Sequence, residues 1–178
     1  MLLSTERKYS GRVIHVDHDM VRFPDRSTGV LEMIRHPGAA AVVPMIDRPA
    51  DPDPRILLIR QFRHATDAFI WEVPAGTLAP RESPETCAHR ELIEEAGHRA
   101  GTLRLLTSIF TTPGFTDEVI HLFLATDLTR VAHRREADEF ITVHELRWSK
   151  VGEMVRQGKI RDGKSLCALM FVQSFLRG

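Results

Sequence analysis

"GTLAPRESPETCAHRELIEEAG", residues 76–97, carries seven arginine or glutamate side chains in twenty-two positions, with a glycine at each end. Glu91, Glu94 and Glu95 lie close together with no lysine to offset them. Ser83-Pro84 is a helix start: serine serves as N-cap, and proline occupies the first helical position, where its missing N–H is no loss. Gly97 is a stop, able to take the left-handed conformation after the last turn. These signals predict a helix over 84–96, about 20 Å long at roughly 1.5 Å per residue. At about 100° per residue, Ala88, Leu92, Ile93 and Ala96 fall on one side, assigned to the core, and Glu91, Glu94 and Glu95 fall together on another.

Two readings of that acidic face stand at this level. A solvated surface is the ordinary explanation for paired glutamates on a helix. Against it, like charges three and four residues apart repel by a few tenths of a kcal/mol, and Glu94 and Glu95 lie near the helix C-terminus, where the macrodipole disfavours anions. Both costs are small. Clustered hard oxygens also suit Mg²⁺, which takes a few carboxylates, keeps several waters and binds substrate phosphates directly.

The chain has 178 residues, enough for one domain with a sizeable core. Lys+Arg and Asp+Glu both total 24, so no net field attracts nucleic acid or an anionic membrane, although a local basic cluster can still bind phosphate. The longest mostly apolar run, 38–46, contains Pro44 and is about half the ~20 residues needed to span a bilayer. "MLLSTERKYS" (1–10) turns charged at Glu6 and lacks a signal-peptide apolar stretch, so a cytoplasmic location is expected. Cys87 and Cys167 form no CxxC and read as two reduced thiols.

Strands are expected at 11–23 and 29–36, separated by the turn "PDRSTG". Others are expected at 39–47, 55–63, 69–76, 101–112, 118–128 and 138–148, and further helices at 149–158 and 163–177. Many short strands and three helices without regular βαβ alternation give an α+β class. The first 35 or so residues read as a strand layer of their own. His15 and His18, the one close histidine pair, point to opposite faces of a strand and make a poor metal site.

With these elements in place, Gly76, Glu82, Arg90, Glu91, Leu92, Glu94, Glu95 and Gly97 resemble the Nudix box, G-x5-E-x7-R-E-U-x-E-E-x-G-U with U apolar. Every position through Gly97 matches. The final U is His98, a departure that bears on local packing rather than on the acidic cluster. The resemblance implies an α/β/α sandwich with a mixed central sheet, and Mg²⁺-dependent (or Mn²⁺-dependent) hydrolysis of a nucleoside diphosphate linked to another moiety. It implies Glu91 and Glu95 as metal ligands, Glu94 as a third, and the Ala75 carbonyl as a backbone ligand, with Glu82 peripheral. Arg90, four residues before Glu94, is placed to steady it by an ion pair.

Further stretches resemble the ADP-ribose pyrophosphatase branch: "LLIRQFR" (57–63), "WEVPAGTL" (71–78), "TTPGFTDEVIHLFLA" (111–125), "DEFITV" (138–143) and "GKIRDGKSLCAL" (158–169). Pro113, sixteen residues after Gly97, marks that branch. Ala79-Pro80-Arg81 departs from it, because the family usually has an acidic residue and a glycine there. The resemblance implies phosphate or substrate contact by Arg63, with Arg60 the weaker candidate on the opposite strand face. It implies that Glu72 helps hold the adenine or its neighbour, and it places Gly114 in a substrate loop. Glu139 is implied as the base, with Glu136 and Asp138 as competitors. Trp71 and Trp148 read as packing residues; an aromatic at the mouth, Phe115 among them, is suited to stack adenine.

The implied reaction converts ADP-ribose to AMP and ribose 5-phosphate. A different nucleoside diphosphate sugar or dinucleotide is the alternative, and a non-catalytic ADP-ribose-sensing domain a further one. The resemblance also implies a homodimer in which an N-terminal β segment (1–36) reaches across from a hydrolase domain (37–178). Arg22, Arg26 or Arg35 would then help complete the adenine site.

Overall fold

The structure, a computed structural model, describes residues 1–132 and 140–176. Glu136, Asp138 and Glu139 lie outside the described residues. The twelve strands in these segments are β1 (Leu2–Ser10), β2 (His15–Arg22), β3 (Thr28–Arg35), β4 (Ala39–Pro44), β5 (Arg55–Arg63), β6 (Ala68–Glu72), β7 (Ala75–Thr77), β8 (His98–Arg99), β9 (Thr102–Phe110), β10 (Val119–Thr126), β11 (Thr129–Arg130) and β12 (Ile141–Arg147). The helices are α1 (Pro84–Ala96), α2 (Trp148–Arg156) and α3 (Gly163–Leu176). None is long and apolar enough to cross a membrane.

The central sheet has the order β7-β4-β10-β9 and is mixed: β4 and β10 run parallel, the other pairs antiparallel. β12-β5-β6 forms an antiparallel sheet beside it, joined through a bridge between Met45 and Ile56. All six residues of β4 are buried because both of its faces are covered. Ala40 and Val42 pack with Cys87, Ala88 and Leu92 of α1; Ala39, Ala41 and Val43 pack with Val151 and Met154 of α2 and Ala168, Leu169 and Val172 of α3. A strand buried on both sides reads as a continuous apolar run, as "AAAVV" does. The arrangement is the expected α/β/α sandwich.

The caps of α1 are those the sequence predicts. The Ser83 hydroxyl accepts from the Thr86 N–H at 3.1 Å, and Gly97, at φ 65°, closes the helix onto the Ile93 carbonyl. The buried side differs from the expectation. Cys87, Ala88, Glu91, Leu92, Glu95 and Ala96 form the buried stripe, while Ile93 is only half-buried. The stripe is turned because α1 lies over both β4 and the short β7, so two of the glutamates share the face of the apolar residues.

The N-terminal segment forms an antiparallel sheet of its own, β1-β2-β3. β1 falls in the expected N-terminal strand layer but had no strand bounds of its own, since its charges hide any alternation; it exists through its pairing with β2, from Leu2 opposite Val21 to Ser10 opposite His15. The strand expected at 11–23 starts only at His15, because Gly11 and Ile14 close a turn. The run expected at 69–76 splits into β6 and β7 at Val73-Pro74, where proline removes a ladder donor.

Candidate active site

Glu91 and Glu95 are 7% and 2% exposed. Burying carboxylates is costly unless charge or hydrogen bonds meet them, and the fold meets these two from the strand above and the arginine beside them. The Ala75 N–H donates to Glu95 Oε2 at 2.8 Å. Gly76 lies so close to Glu91 that a Cβ there would stand 1.8 Å from Oε1. The glycine of the motif is therefore needed for close approach of backbone and carboxylate. Glu94, on the flank of α1, is half-buried.

Arg90 binds this cluster together. Its Nε and Nη2 each donate to Glu82 at 2.9 Å, its Nη1 donates to Glu91 and, at 3.0 Å, to Glu94, and its Nη2 reaches the Thr77 carbonyl at 3.1 Å. The Arg90–Glu94 pair expected from the four-residue spacing is present, and Glu82 is its strongest partner by number of bonds. Hydrogen bonds from Arg90 overcome partial burial and hold the Glu82 carboxyl down at about 2. Burial, with Glu91 nearby, pushes the Cys87 thiol up to about 12, so it is a packed thiol and not a nucleophile.

Among the described residues, no three His, Cys, Asp or Glu side chains stand grouped as a ready metal cage. The donor chemistry nevertheless fits a hard divalent cation. Glu82, Glu91 and Glu94 share a single guanidinium, Glu95 lies one helical turn on from Glu91 beneath the Ala75 N–H, and all the donors are oxygens. Ala75 sits in the same turn, its carbonyl belonging to the segment that Glu91 and Glu95 underlie.

A cavity of about 510 Å³ opens on the other side of that turn. Its lining includes Gly76 and Thr77 of β7, Arg63 and Lys164, and Phe110 and Glu118. Glu72 is 1% exposed, not a surface carboxylate. It takes a two-pronged hydrogen bond from Arg63, at 2.7 and 2.8 Å, and another from Lys164. Burial raises the Glu72 carboxyl, but Arg63 and Lys164 together outweigh it and hold it below its ordinary value. Its carboxylate thus fixes two cations at the cavity wall. Arg60 lies on the opposite strand face, over the Phe69 ring.

Gly114 and Phe115 lie in the loop before β10, outside this lining, whereas Phe110 at the end of β9 is in it and 71% exposed. Trp71 packs edge-on against His144 and onto the core, and Trp148 is buried. Lys164, Asp162, Glu118 and Phe110 carry no expectation from sequence. Asp162 and Lys164 had a signal, since they flank the Gly163 helix start; Phe110 and Glu118 come to the cavity through the placement of β9 and β10.

A family model described as the NUDIX domain matches residues 35–169. The chain is 35% identical over 173 residues to an ADP-ribose pyrophosphatase of Bacillus subtilis, covering 96% of this chain and 91% of that one. It is 34% identical over the same coverage to a methanol dehydrogenase activator of Bacillus methanolicus. It is 38% identical over 128 residues to a GDP-mannose pyrophosphatase of Klebsiella pneumoniae, covering 67% of this chain and 64% of that one. A solved structure titled as an ADP compounds hydrolase superposes with a TM-score of 0.79 at 23% identity, covering 99% of this chain and 93% of that one.

Two outcomes follow from this geometry. Gly76→Ala displaces Glu91 from its seat and should lower the unfolding free energy by about 1–3 kcal/mol, the usual cost of overpacking; an unchanged denaturant midpoint would contradict the close approach. The Glu82 carboxyl is depressed, so its stabilisation is full above its ordinary value of 4.5 and fades as pH falls toward about 2. Glu82→Gln should therefore cost thermal stability at about pH 6 and much less at about pH 3. An equal deficit at both pH values would show that the ion pair is not its source.

Proposed function

The chain belongs to the Nudix hydrolase family, and from that premise we propose that it hydrolyses the diphosphate of ADP-ribose to AMP and ribose 5-phosphate in a reaction dependent on Mg²⁺ or Mn²⁺. The observation that carries this reading is the placement of buried Glu91 and Glu95 beneath the Ala75–Gly76 turn, with a cavity on its far side walled by Arg63 and Lys164. An anionic cluster and a pair of fixed cations flanking one cleft suit a diphosphate, whose charge has to be met from more than one direction.

Glu91, Glu94 and Glu95, with the Ala75 carbonyl, would hold the cation; when bound, it supplies charge neutralisation and polarisation at phosphorus. Arg63 presents a planar fork whose orientation Glu72 has already set, so little reorganisation is needed when a phosphate arrives. Arg90 ties Glu91 and Glu94 together and orients them. Water attacks one phosphorus as the bridging P–O bond breaks, and Glu139 is assigned the water's proton. Phe110, exposed at the cavity mouth, offers a ring face to the base.

A second reading, hydrolysis of another nucleoside diphosphate sugar, is favoured by the likeness to a GDP-mannose pyrophosphatase. A panel of ADP-ribose, GDP-mannose and dinucleotides with Mg²⁺, followed by phosphate release through a coupled phosphatase, separates the two. Glu95→Gln should fold and yet lose most of its turnover. Turnover at the wild-type rate would remove Glu95 from the chemistry.

The proposal includes a homodimer made through the N-terminal layer (1–36), with the hydrolase body at 37–178. β1 is exposed along its whole length, and Leu2, Leu3, Tyr9 and Val30 show apolar surface to solvent, a form that invites a partner. Light scattering after size exclusion should give twice the 20.2 kDa chain mass. Removal of residues 1–36 should yield monomers, and a monomeric intact chain would refute the assembly.

A further inference from the structure

The segment that carries Ala75 leaves its sheet at Val73. Glu72, opposite Ile59, is the last residue of β6 in register with β5, and Pro74 has no N–H to offer. The Val73 N–H is therefore a donor outside the ladder on a fully buried residue, and leaving such a group unmet costs about 1–3 kcal/mol. Ser165, itself 0% exposed, meets it: the serine Oγ accepts from the Val73 N–H at 2.8 Å, across 92 residues of sequence.

The direction of that hydroxyl is fixed from behind. Asp162 Oδ2 accepts the Ser165 O–H and also, at 2.9 Å, the Ser165 N–H. The serine proton is thus committed to Asp162, and an oxygen lone pair is left for Val73. Lys164, between them in sequence, bonds to Glu72 and, at 3.0 Å, to Asp162 Oδ1. The first turn of α3 consequently grips two consecutive residues, Glu72 by its side chain and Val73 by its backbone.

The next groups along the segment are held by other elements. The Pro74 carbonyl accepts from the Val42 N–H at 2.9 Å, and the Ala75 N–H donates to Glu95. Three elements (α3, β4 and α1) therefore hold three successive residues, and only the α3 anchor is a single neutral hydroxyl.

We infer that Ser165 is a positioning residue for the cation site: by holding the Val73 N–H it sets the turn in which Ala75 meets Glu95 and Gly76 covers Glu91. This role rests on the reading of Ala75, Glu91, Glu94 and Glu95 as cation donors. It acts through backbone placement and requires no contact between Ser165 and the ion.

Ser165→Ala removes the acceptor and keeps a good helix former. Mn²⁺ binding followed by electron paramagnetic resonance should weaken by about 10- to 100-fold, as for other residues that orient a ligand from behind. Amide exchange at Val73 and Ala75 should quicken. Ser165→Cys, close in shape and a weak acceptor, should show the same changes to a smaller degree, and it serves if the alanine variant folds poorly. Val172→Ala, a cavity on the same helix away from the turn, should melt early yet bind Mn²⁺ as the wild type does. The role is overturned if Ser165→Ala and Ser165→Cys both bind Mn²⁺ normally, or if Val172→Ala loses affinity to the same extent. A wild-type chain that binds no Mn²⁺ instead overturns the donor reading, and this role with it.

Discussion

A carboxylate placed on the buried side of a helix must find donors within reach or lose its charge, and Glu95 finds the Ala75 N–H. Much of the site geometry follows from that contact. It brings β7 down onto α1, which is why the residue above Glu91 has to be glycine. It also accounts for the small side chains of β4: Ala40 and Ala41 lie opposite Gly76 and Ala75 across the ladder, between helix layers on both faces. Arg90 supplies compensation for Glu82, Glu91 and Glu94 from the rim, where its guanidinium also reaches the Thr77 carbonyl without itself being buried. Under the proposed reading, these anions would stand in place before a cation arrives, which is preorganisation in the electrostatic sense.

The cleft on the other side of the same turn obeys a complementary rule. Glu72 is buried and anionic, and two cations at the cavity wall neutralise it. Their positions are therefore set by the fold and not by the ligand, which lowers the ordering cost of binding. One short segment, Glu72 to Gly76, thus has cations arranged by its first residue and anions packed under its last.

The N-terminal sheet joins the rest of the molecule through charge. Arg35 of β3 bonds to Asp17 and Asp19, both buried in its own sheet, and to Asp117 in the loop before β10. Asp117 Oδ1 also accepts the His36 N–H at 2.9 Å, and the Ile34 N–H donates to the Phe115 carbonyl at 2.7 Å. Burial opposes its charge, but the hydrogen bonds that Arg35 donates to the three aspartates outweigh it and raise the guanidinium, so it stays charged at any ordinary pH. This junction fixes the loop whose neighbours Thr111 and Glu118 wall the cavity. A layer that looks peripheral is thereby coupled to the shape of the cleft.

By itself the sequence determined the local and periodic features: the span and both caps of α1, the apolar run of β4 and the Arg90–Glu94 pair. Each depends on residues within a turn or on a repeat along one element, so the information is contained in neighbouring letters. Tertiary structure alone decided which side of α1 is buried, because that depends on β7 lying above it, and it made Glu91 and Glu95 buried where helical periodicity put them on a separate face. It alone brought Lys164, Phe110 and Glu118 to the cleft with Arg63, and the Ser165 hydroxyl to Val73. Contacts spanning about ninety residues are set by how the layers stack, and no spacing along the chain records that.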